Sequence, residues 1–449
     1  MKYQTIIPPA SKSYSHRYII GAFLSRKNID LHNILVCDDI KATQEALSLL
    51  GLSIDGTMYS GEHTLFTQQH VEQEQYTLNA QGSATLSRFL SCILCAIPHR
   101  VTFILTGNEQ LCQRSHALSS YYATLLNADI DYIKDEYYLP YTLSPHGIPN
   151  IQEIDISLEQ SSSQYISGLL FALSLSKIER YLYLTPSTIP SFPYICSTLF
   201  TLQQYGITLS CFFTDTDNNN THTIEPSTLA TTYTTYSEQK LCIHIQPSTY
   251  TKTEHSIPSD FSAISYLLCF GILGSSPIAI PYYGIDAPQA DIYFLTILHS
   301  MNAHVENKDS TLIAYPSLDM MHTIDIDMSA CPDLFPTVAI LQAFSSGVSI
   351  LSNIKHIRTK ESDRVHAMLT GLYALGFDVR EEENYIYIGE RRYTPTYSIP
   401  IKTFHDHRIA MAFSLCNVIQ EHMCLIDDYD CVQKSFPTYW NIFHSLRKD

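Results

Sequence analysis

The sequence predicts an α+β fold in two domains, each built from three copies of one small module. Three observations carry this. The chain has 449 residues and is 45% hydrophobic, more than one core can use, since single cores stop growing at about 250 to 300 residues. One kind of segment, small polar residues followed by an apolar run with small residues at helical spacing, recurs six times. Short β-rich runs lie between the helical stretches, so helix and strand interleave along the chain.

In order, the copies begin near Ser11 (SKSYSHRYIIGAFLS), Gly82 (GSATLSRFLSCILCA), Ser161 (SSSQYISGLLFALSL), Ser259 (SDFSAISYLLCFGIL), Cys331 (CPDLFPTVAILQAFS) and His405 (HDHRIAMAFSLCNVI), about 70 to 100 residues apart. Most are followed by a second helical stretch that stops at Leu50-Gly51, Asn127-Ala128, Tyr205-Gly206, Asn302-Ala303 or Leu375-Gly376. Gly or Asn at these points suits a left-handed helix stop. Runs such as Val101 to Leu105 and Tyr385 to Ile388 read as strands. The polar stretch Gln246 to Pro258 divides the copies three and three and marks the domain boundary, with the N-terminal domain ending at about residue 250. Asp215 to His222 and Thr231 to Glu238 read as polar surface insertions. Buried helices commonly start with Ser, Asp or Gly caps. Capping therefore explains the periodicity but not the charged residues that accompany it.

Composition narrows the function. The net charge of −17, from 27 basic and 44 acidic residues, repels nucleic acid and anionic membrane surfaces, so neither is expected as a partner and any anion site has to be local. No run approaches the roughly 18 apolar residues of a membrane span, and the start Met1-Lys2-Tyr3-Gln4 has no apolar stretch of a signal peptide. A cytoplasmic location is expected. Twelve scattered cysteines read as reduced, and the close pair Cys92 and Cys95 reads as core. With 16 glycines and no Gly-rich phosphate loop, phosphate binding needs another device.

Helix starts supply one, because their unpaired N–H groups and positive dipole end favour anions by about 0.3 to 1 kcal/mol each. Lys12 and Arg17 lie in the first copy, Arg88 in the second and Arg408 in the sixth, while Arg114, Arg358, Lys360, Arg364 and Lys434 lie in the connections. Charge-assisted hydrogen bonds from such residues neutralise a phosphate and a carboxylate without a metal.

The ordered set Ser11-Lys12-Ser13-Tyr14-Ser15-His16-Arg17, Ser162-Ser163-Gln164, Ser191-Phe192-Pro193-Tyr194, Pro332-Asp333, Arg358-Thr359-Lys360-Glu361-Ser362-Asp363-Arg364, Asp406-His407-Arg408 and Lys434-Ser435-Phe436-Pro437 resembles the enolpyruvyl transferases, in the branch that takes 3-phosphoshikimate as acceptor. The resemblance runs through the whole chain. It implies two domains of three βαβαββ units each, residues 1 to about 11 joining the C-terminal domain, with the active site in the cleft between domains that close on their substrates. It implies transfer of the carboxyvinyl group of phosphoenolpyruvate to the 5-hydroxyl of 3-phosphoshikimate by addition and elimination, on the way to chorismate and the aromatic amino acids. These two small molecules are the expected partners of a monomer that needs no cofactor and no metal. By the same resemblance, Lys12, Ala84, Arg114, Gln164, Arg364, Arg408 and Lys434 form the phosphoenolpyruvate site. Lys12, Ser13, Arg17, Ser162, Ser163, Gln164, Ser191, Asp333, His356 and Lys360 hold 3-phosphoshikimate. Asp333 matches the proton acceptor and Glu361 the proton donor, with Lys12 as the third catalytic residue.

Plainer readings stand beside these. Lys360 to Arg364 alone reads as a salt-bridged helix start, Ser162 and Ser163 as caps, and Asp333 after Pro332 as a cap. His405-Asp406-His407 puts two imidazoles beside a carboxylate, but nothing completes a metal site. Arg88 either touches substrate or pairs with an acid and is left out of the site. Ala84 replaces a glycine of the family pattern, and its methyl narrows the phosphoenolpyruvate pocket against bulkier analogues such as glyphosate. His16 and His356 stand where asparagine is common, and protonation of His356 is expected to add pH dependence. Two rival functions remain: transfer to UDP-N-acetylglucosamine, whose enzymes carry a loop cysteine that Cys112, only two residues before Arg114, is too close to match; and a non-catalytic anion-binding relative, which would not need both carboxylates.

Overall fold

The computed structural model describes residues 3–61, 74–98, 101–156, 162–214 and 220–446. The chain forms two compact units: one holds 12–257 with 286–289, the other the chain up to Ser11, 258–285 and 290 onward.

Each copy of the repeated segment is a helix: Lys12–Ser25, Ala84–Ile93 and Ser163–Leu173 in the first unit, and Phe261–Leu273, Phe335–Phe344 and His407–Ser414 in the second. These helices are buried nearly all round, which is why their sequences lack a polar face. Close approach explains the small residues: a Cβ added at Gly168 would lie 2.9 Å from Phe89 O, so two of the first unit's helices meet at backbone contact.

The module is plainest in the second copy. Gln75–Asn79 runs parallel to Thr102–Thr106, with the helix Ala84–Ile93 as crossover; Tyr141–Pro145 and Ala128–Tyr132 then add antiparallel. The same order holds in the other first-unit sheets, and in the second unit around Ile278–Pro281 and Ser349–Ser352. The sixth copy differs from the expected βαβαββ unit: its sheet has only Ile399–Ile401 and Cys424–Ile426, and the helix Tyr439–Leu446 follows with no hairpin added among the described residues.

Two strands are exchanged along the chain. Gln4–Thr5 begins the fourth copy by pairing with Ile278 and Ala279, and Glu254–Ser256 begins the first by pairing parallel with Asp30–His32. That second pairing keeps the chain in the first unit to Ile257, within the polar stretch Gln246 to Pro258. The short excursion 286–289 is tied to the same unit by Pro288 O, which accepts from Tyr14 at 2.8 Å and Ser197 at 2.7 Å.

The second helices of the first five copies stop as the sequence predicts, with Gly51, Asn127, Gly206, Asn302 and Gly376 at φ of 100°, 59°, 88°, 65° and 91°. The stretch Thr231–Glu238 takes in the end of the helix Pro226–Thr232 and the 3-10 turn Tyr233–Tyr236, in which Tyr233 is buried. Of the other proposed insertion, 215–219 lie outside the described residues and 220–224 form an edge strand. Cys92 and Cys95 are core residues, as read. No helix of the described residues is long and apolar enough to cross a membrane.

Candidate active site

The second unit gathers its charged residues around one guanidinium. Arg364 opens the helix Arg364–Ala374 behind the cap Asp363, whose carboxylate accepts from His366 N. Its side chain is 1% exposed and reaches three carboxylates: Asp406 Oδ2 at 2.8 Å, Asp333 Oδ1 at 2.8 Å and Glu361 Oε2 at 2.5 Å. Burial opposes the charge, but Asp406, Glu361 and Asp333 outweigh it and keep Arg364 firmly protonated. Asp406 is fully buried, caps the helix His407–Ser414 through Arg408 N and also accepts from Ser362 at 3.0 Å.

Asp333 lies in the turn Pro332–Leu334, where its carboxylate faces cations rather than capping the helix that follows. Arg408 Nη2 stands 3.1 Å from Oδ2 and Lys360 Nζ 3.6 Å from Oδ1. Burial alone would raise this carboxyl, yet Arg408, Lys360 and Arg364 together hold it well below the usual carboxylate range. Lys434 Nζ lies 3.8 Å from Glu361 Oε1. His356 is brought beside the same cluster. Burial, followed by Lys360, lowers its ring to about 4, which keeps it neutral near pH 7. Its Nε2 is buried with no hydrogen-bond partner among the described residues.

The first unit holds a second cluster. Lys12, at the start of its helix, pairs with Asp39 at 2.9 Å. Arg17, one turn on and 2% exposed, gives its five N–H groups to Thr198 Oγ1, to Ser13 O and Oγ, to Tyr194 O and to Ser167 Oγ. All are neutral acceptors. Burial without a carboxylate lowers Arg17 to about 10, and this internal saturation makes it the support of Ser13 and of the turn at Tyr194. Ser162 is the cap of the helix Ser163–Leu173 and accepts from Gln164 N. Gln164 donates to Thr85 Oγ1 at 2.9 Å and accepts from Arg88 Nη1 at 2.6 Å. Arg88, left out from sequence, therefore belongs to this cluster. Ala84 is buried in the first turn of its helix, behind the cap Ser83.

Several site loops enter their helices through strained backbone. Ser191, Gln81, Phe404 and His405 have φ of 62°, 50°, 54° and 56° without being glycine, at about 1 to 3 kcal/mol each. Arg114 follows a short helix and is steered by His116, whose Nδ1 donates to Arg114 O at 2.9 Å while Nε2 meets Ser87 Oγ at 3.1 Å.

Other residues fall elsewhere. Arg358 pairs with Asp363 and Glu381, outside the Arg364 cluster. His405 is 82% exposed toward Asp428 while His407 is 1% exposed, so the two rings do not converge on a metal. Sequence reasoning missed Asp39, Asp406, Arg88 and His116. Asp406 was legible as part of a quoted motif, whereas Asp39 had no local signal at all.

The family model for EPSP synthase (3-phosphoshikimate 1-carboxyvinyltransferase) matches residues 3–443. The chain is 29% identical over 448 residues to the 3-phosphoshikimate 1-carboxyvinyltransferase of Photobacterium damsela subsp. piscicida, covering 98% of this chain and 96% of the relative. It is 30% identical over 447 residues to that of Clostridium novyi (strain NT), covering 98% and 94%. Among solved structures, EPSP synthase from Acinetobacter baumannii shares the fold at a TM-score of 0.72 and 21% identity, over 99% of this chain and 95% of the other. The enolpyruvyl transferase NikO from Streptomyces tendae does so at 0.69 and 12%, over 99% and 95%. The chain belongs to the EPSP synthase family.

Proposed function

We propose that the chain transfers the carboxyvinyl group of phosphoenolpyruvate to the 5-hydroxyl of 3-phosphoshikimate, with Asp333 and Glu361 moving the protons. The observation that carries this is the Arg364 guanidinium, which holds both carboxylates at 2.8 and 2.5 Å. Phosphoenolpyruvate brings a carboxylate and a phosphate, and Arg364, Arg408 and Lys434 are the cations to receive them in the second unit, with Lys12, Arg114 and Gln164 on the first. Arg408 pairs with Asp333 and Lys434 with Glu361. Substrate anions that claim these cations weaken the charges that hold Asp333 below the usual carboxylate range, which readies it to take a proton, with Glu361 as the proton donor.

In the addition step the 5-hydroxyl oxygen bonds to C2 of phosphoenolpyruvate, its proton passes to Asp333, and Glu361 protonates C3 to a methyl group. In the elimination step the methyl returns a proton to Glu361, the C2–O bond to phosphate breaks, and the phosphate leaves with the proton from Asp333. Arg17 keeps Ser13 in place for 3-phosphoshikimate beside Ser162, Ser163 and Ser191, while Lys360 and His356 serve it from the second unit. The orphaned His356 Nε2 is suited to a substrate hydroxyl.

Twelve free cysteines, ten of them buried, support a reducing, cytoplasmic setting, and we take the working form as a monomer. Cys112 donates to Gly107 O, a local contact that gives transfer to UDP-N-acetylglucosamine no support. Phosphate release from phosphoenolpyruvate tests the proposal: it is expected with 3-phosphoshikimate and not with UDP-N-acetylglucosamine. Release with the second acceptor alone, or with neither, would overturn it.

A further inference from the structure

A carboxylate that neither the sequence motifs nor the proton transfers use lies behind Arg408. Asp291 sits in the turn Ala290–Tyr293 and is 2% exposed. Its Oδ2 accepts a hydrogen bond from Ser262 Oγ. Ser262, in the first turn of the helix Phe261–Leu273, in turn accepts from Arg408 Nη2 at 3.2 Å. The same Nη2 lies 3.1 Å from Asp333 Oδ2. A serine hydroxyl has one proton, and giving it to Asp291 turns the oxygen lone pairs toward Arg408. Without Asp291 the hydroxyl is free to rotate and to present its proton to the guanidinium instead.

A buried carboxylate is expensive and persists only where its surroundings hold it. Here the second oxygen, Oδ1, is buried with no hydrogen-bond partner among the described residues. Burial raises the Asp291 carboxyl to about 6, with Asp333 and Asp260 adding to the rise and Arg408 and the Ser262 bond opposing it. Packing alone gives no reason for a charge in this place.

We propose that Asp291 is a positioning residue for Arg408, acting through the hydroxyl of Ser262 to aim the guanidinium at the phosphoenolpyruvate anion. The inference rests on the proposed role of Arg408. It assigns the turn at residue 291 a part in substrate affinity without contact with either substrate.

The test is steady-state kinetics on the full chain, with both substrates varied, for Asp291→Leu, Asp291→Asn, Ser262→Ala, the Ser262→Ala/Asp291→Leu pair and Arg408→Ala. Asp291→Leu and Ser262→Ala are expected to raise KM for phosphoenolpyruvate about tenfold, the scale of a hydrogen bond to a charged group, with KM for 3-phosphoshikimate within about twofold. Asp291→Asn keeps an oxygen acceptor for Ser262 and is expected to recover most of the loss. The double variant should be no worse than either single one, because both cut the same link. Equal changes in both KM values, an Asp291→Asn as impaired as Asp291→Leu, or additive losses would each overturn the proposal. If Asp291→Leu does not fold, Ser262→Ala and Asp291→Asn still decide it. Arg408→Ala separates the two readings: if it leaves KM for phosphoenolpyruvate unchanged, the role of Arg408 itself has failed, whereas a raised KM there with none in Ser262→Ala sinks only the relay.

Discussion

Asp333 faces Arg364, Arg408 and Lys360 at once, so its replacement separates charge from shape. Asp333→Asn is expected to lower kcat by about 10²- to 10⁴-fold, the usual share of a positioned base, with both substrates still bound. Normal turnover in a stopped assay of phosphate release would remove it from the mechanism. Asp406 makes a different case, since no substrate reaches a side chain with no exposed surface. Asp406→Ala leaves Arg364 buried without its deepest partner and is expected to cost about 3 to 5 kcal/mol of stability, read from urea unfolding at pH 7.5. The contrast explains what was legible at this scale. The residues proposed to meet substrate stand in short motifs, while Asp39 and Arg88 gain their meaning only when separate helices bring them to Lys12 and Gln164.

Among the elements, the helices were the most legible and the sheets the least. An apolar run with small residues fixes a buried helix locally, and a Gly or Asn fixes its stop. Which strand opens which sheet depends on partners far along the chain, so the pairing of Glu254–Ser256 with Asp30–His32 had no sequence signal. The stops themselves are testable. Gly376→Ala forces a side chain into φ of 91° and places its Cβ 2.0 Å from Tyr393 O. The backbone term alone costs about 1 to 2 kcal/mol, whereas Asn127→Gly, at an equivalent stop, should be near neutral. Equal melting temperatures for the two variants would contradict this account of the helix ends.

For the whole molecule, the net charge of −17 is compatible with two anionic substrates because the cations of the proposed site stand in two local clusters, compensated by carboxylates or by neutral acceptors. Buried histidines set a further property. Burial lowers His16 and His116 each to about 3, against about 6.5 in an unfolded chain. Between those values the unfolded state binds a proton that the native state refuses. The stability these neutral rings allow is therefore complete above about pH 6.5 and declines as the pH falls toward 3, by about 1.4 kcal/mol per pH unit for each ring. Urea unfolding between pH 7 and pH 5 is expected to show this slope, and His16→Asn to reduce it by one ring's share. An unchanged slope would mean that His16 is protonated in the folded protein.

The central claim is that one cluster of carboxylates around Arg364 carries out addition and then elimination, with Glu361 delivering a proton to C3 and taking one back. Turnover in D₂O with 3-phosphoshikimate tests it directly, because the transient methyl group then carries deuterium and keeps some of it when the double bond reforms. The account predicts deuterium in the vinyl methylene of the product, and a Glu361→Gln enzyme that binds both substrates but loses turnover and deuterium together. A Glu361→Gln enzyme that forms deuterated product at the normal rate, or a native enzyme whose product carries no deuterium, would contradict it.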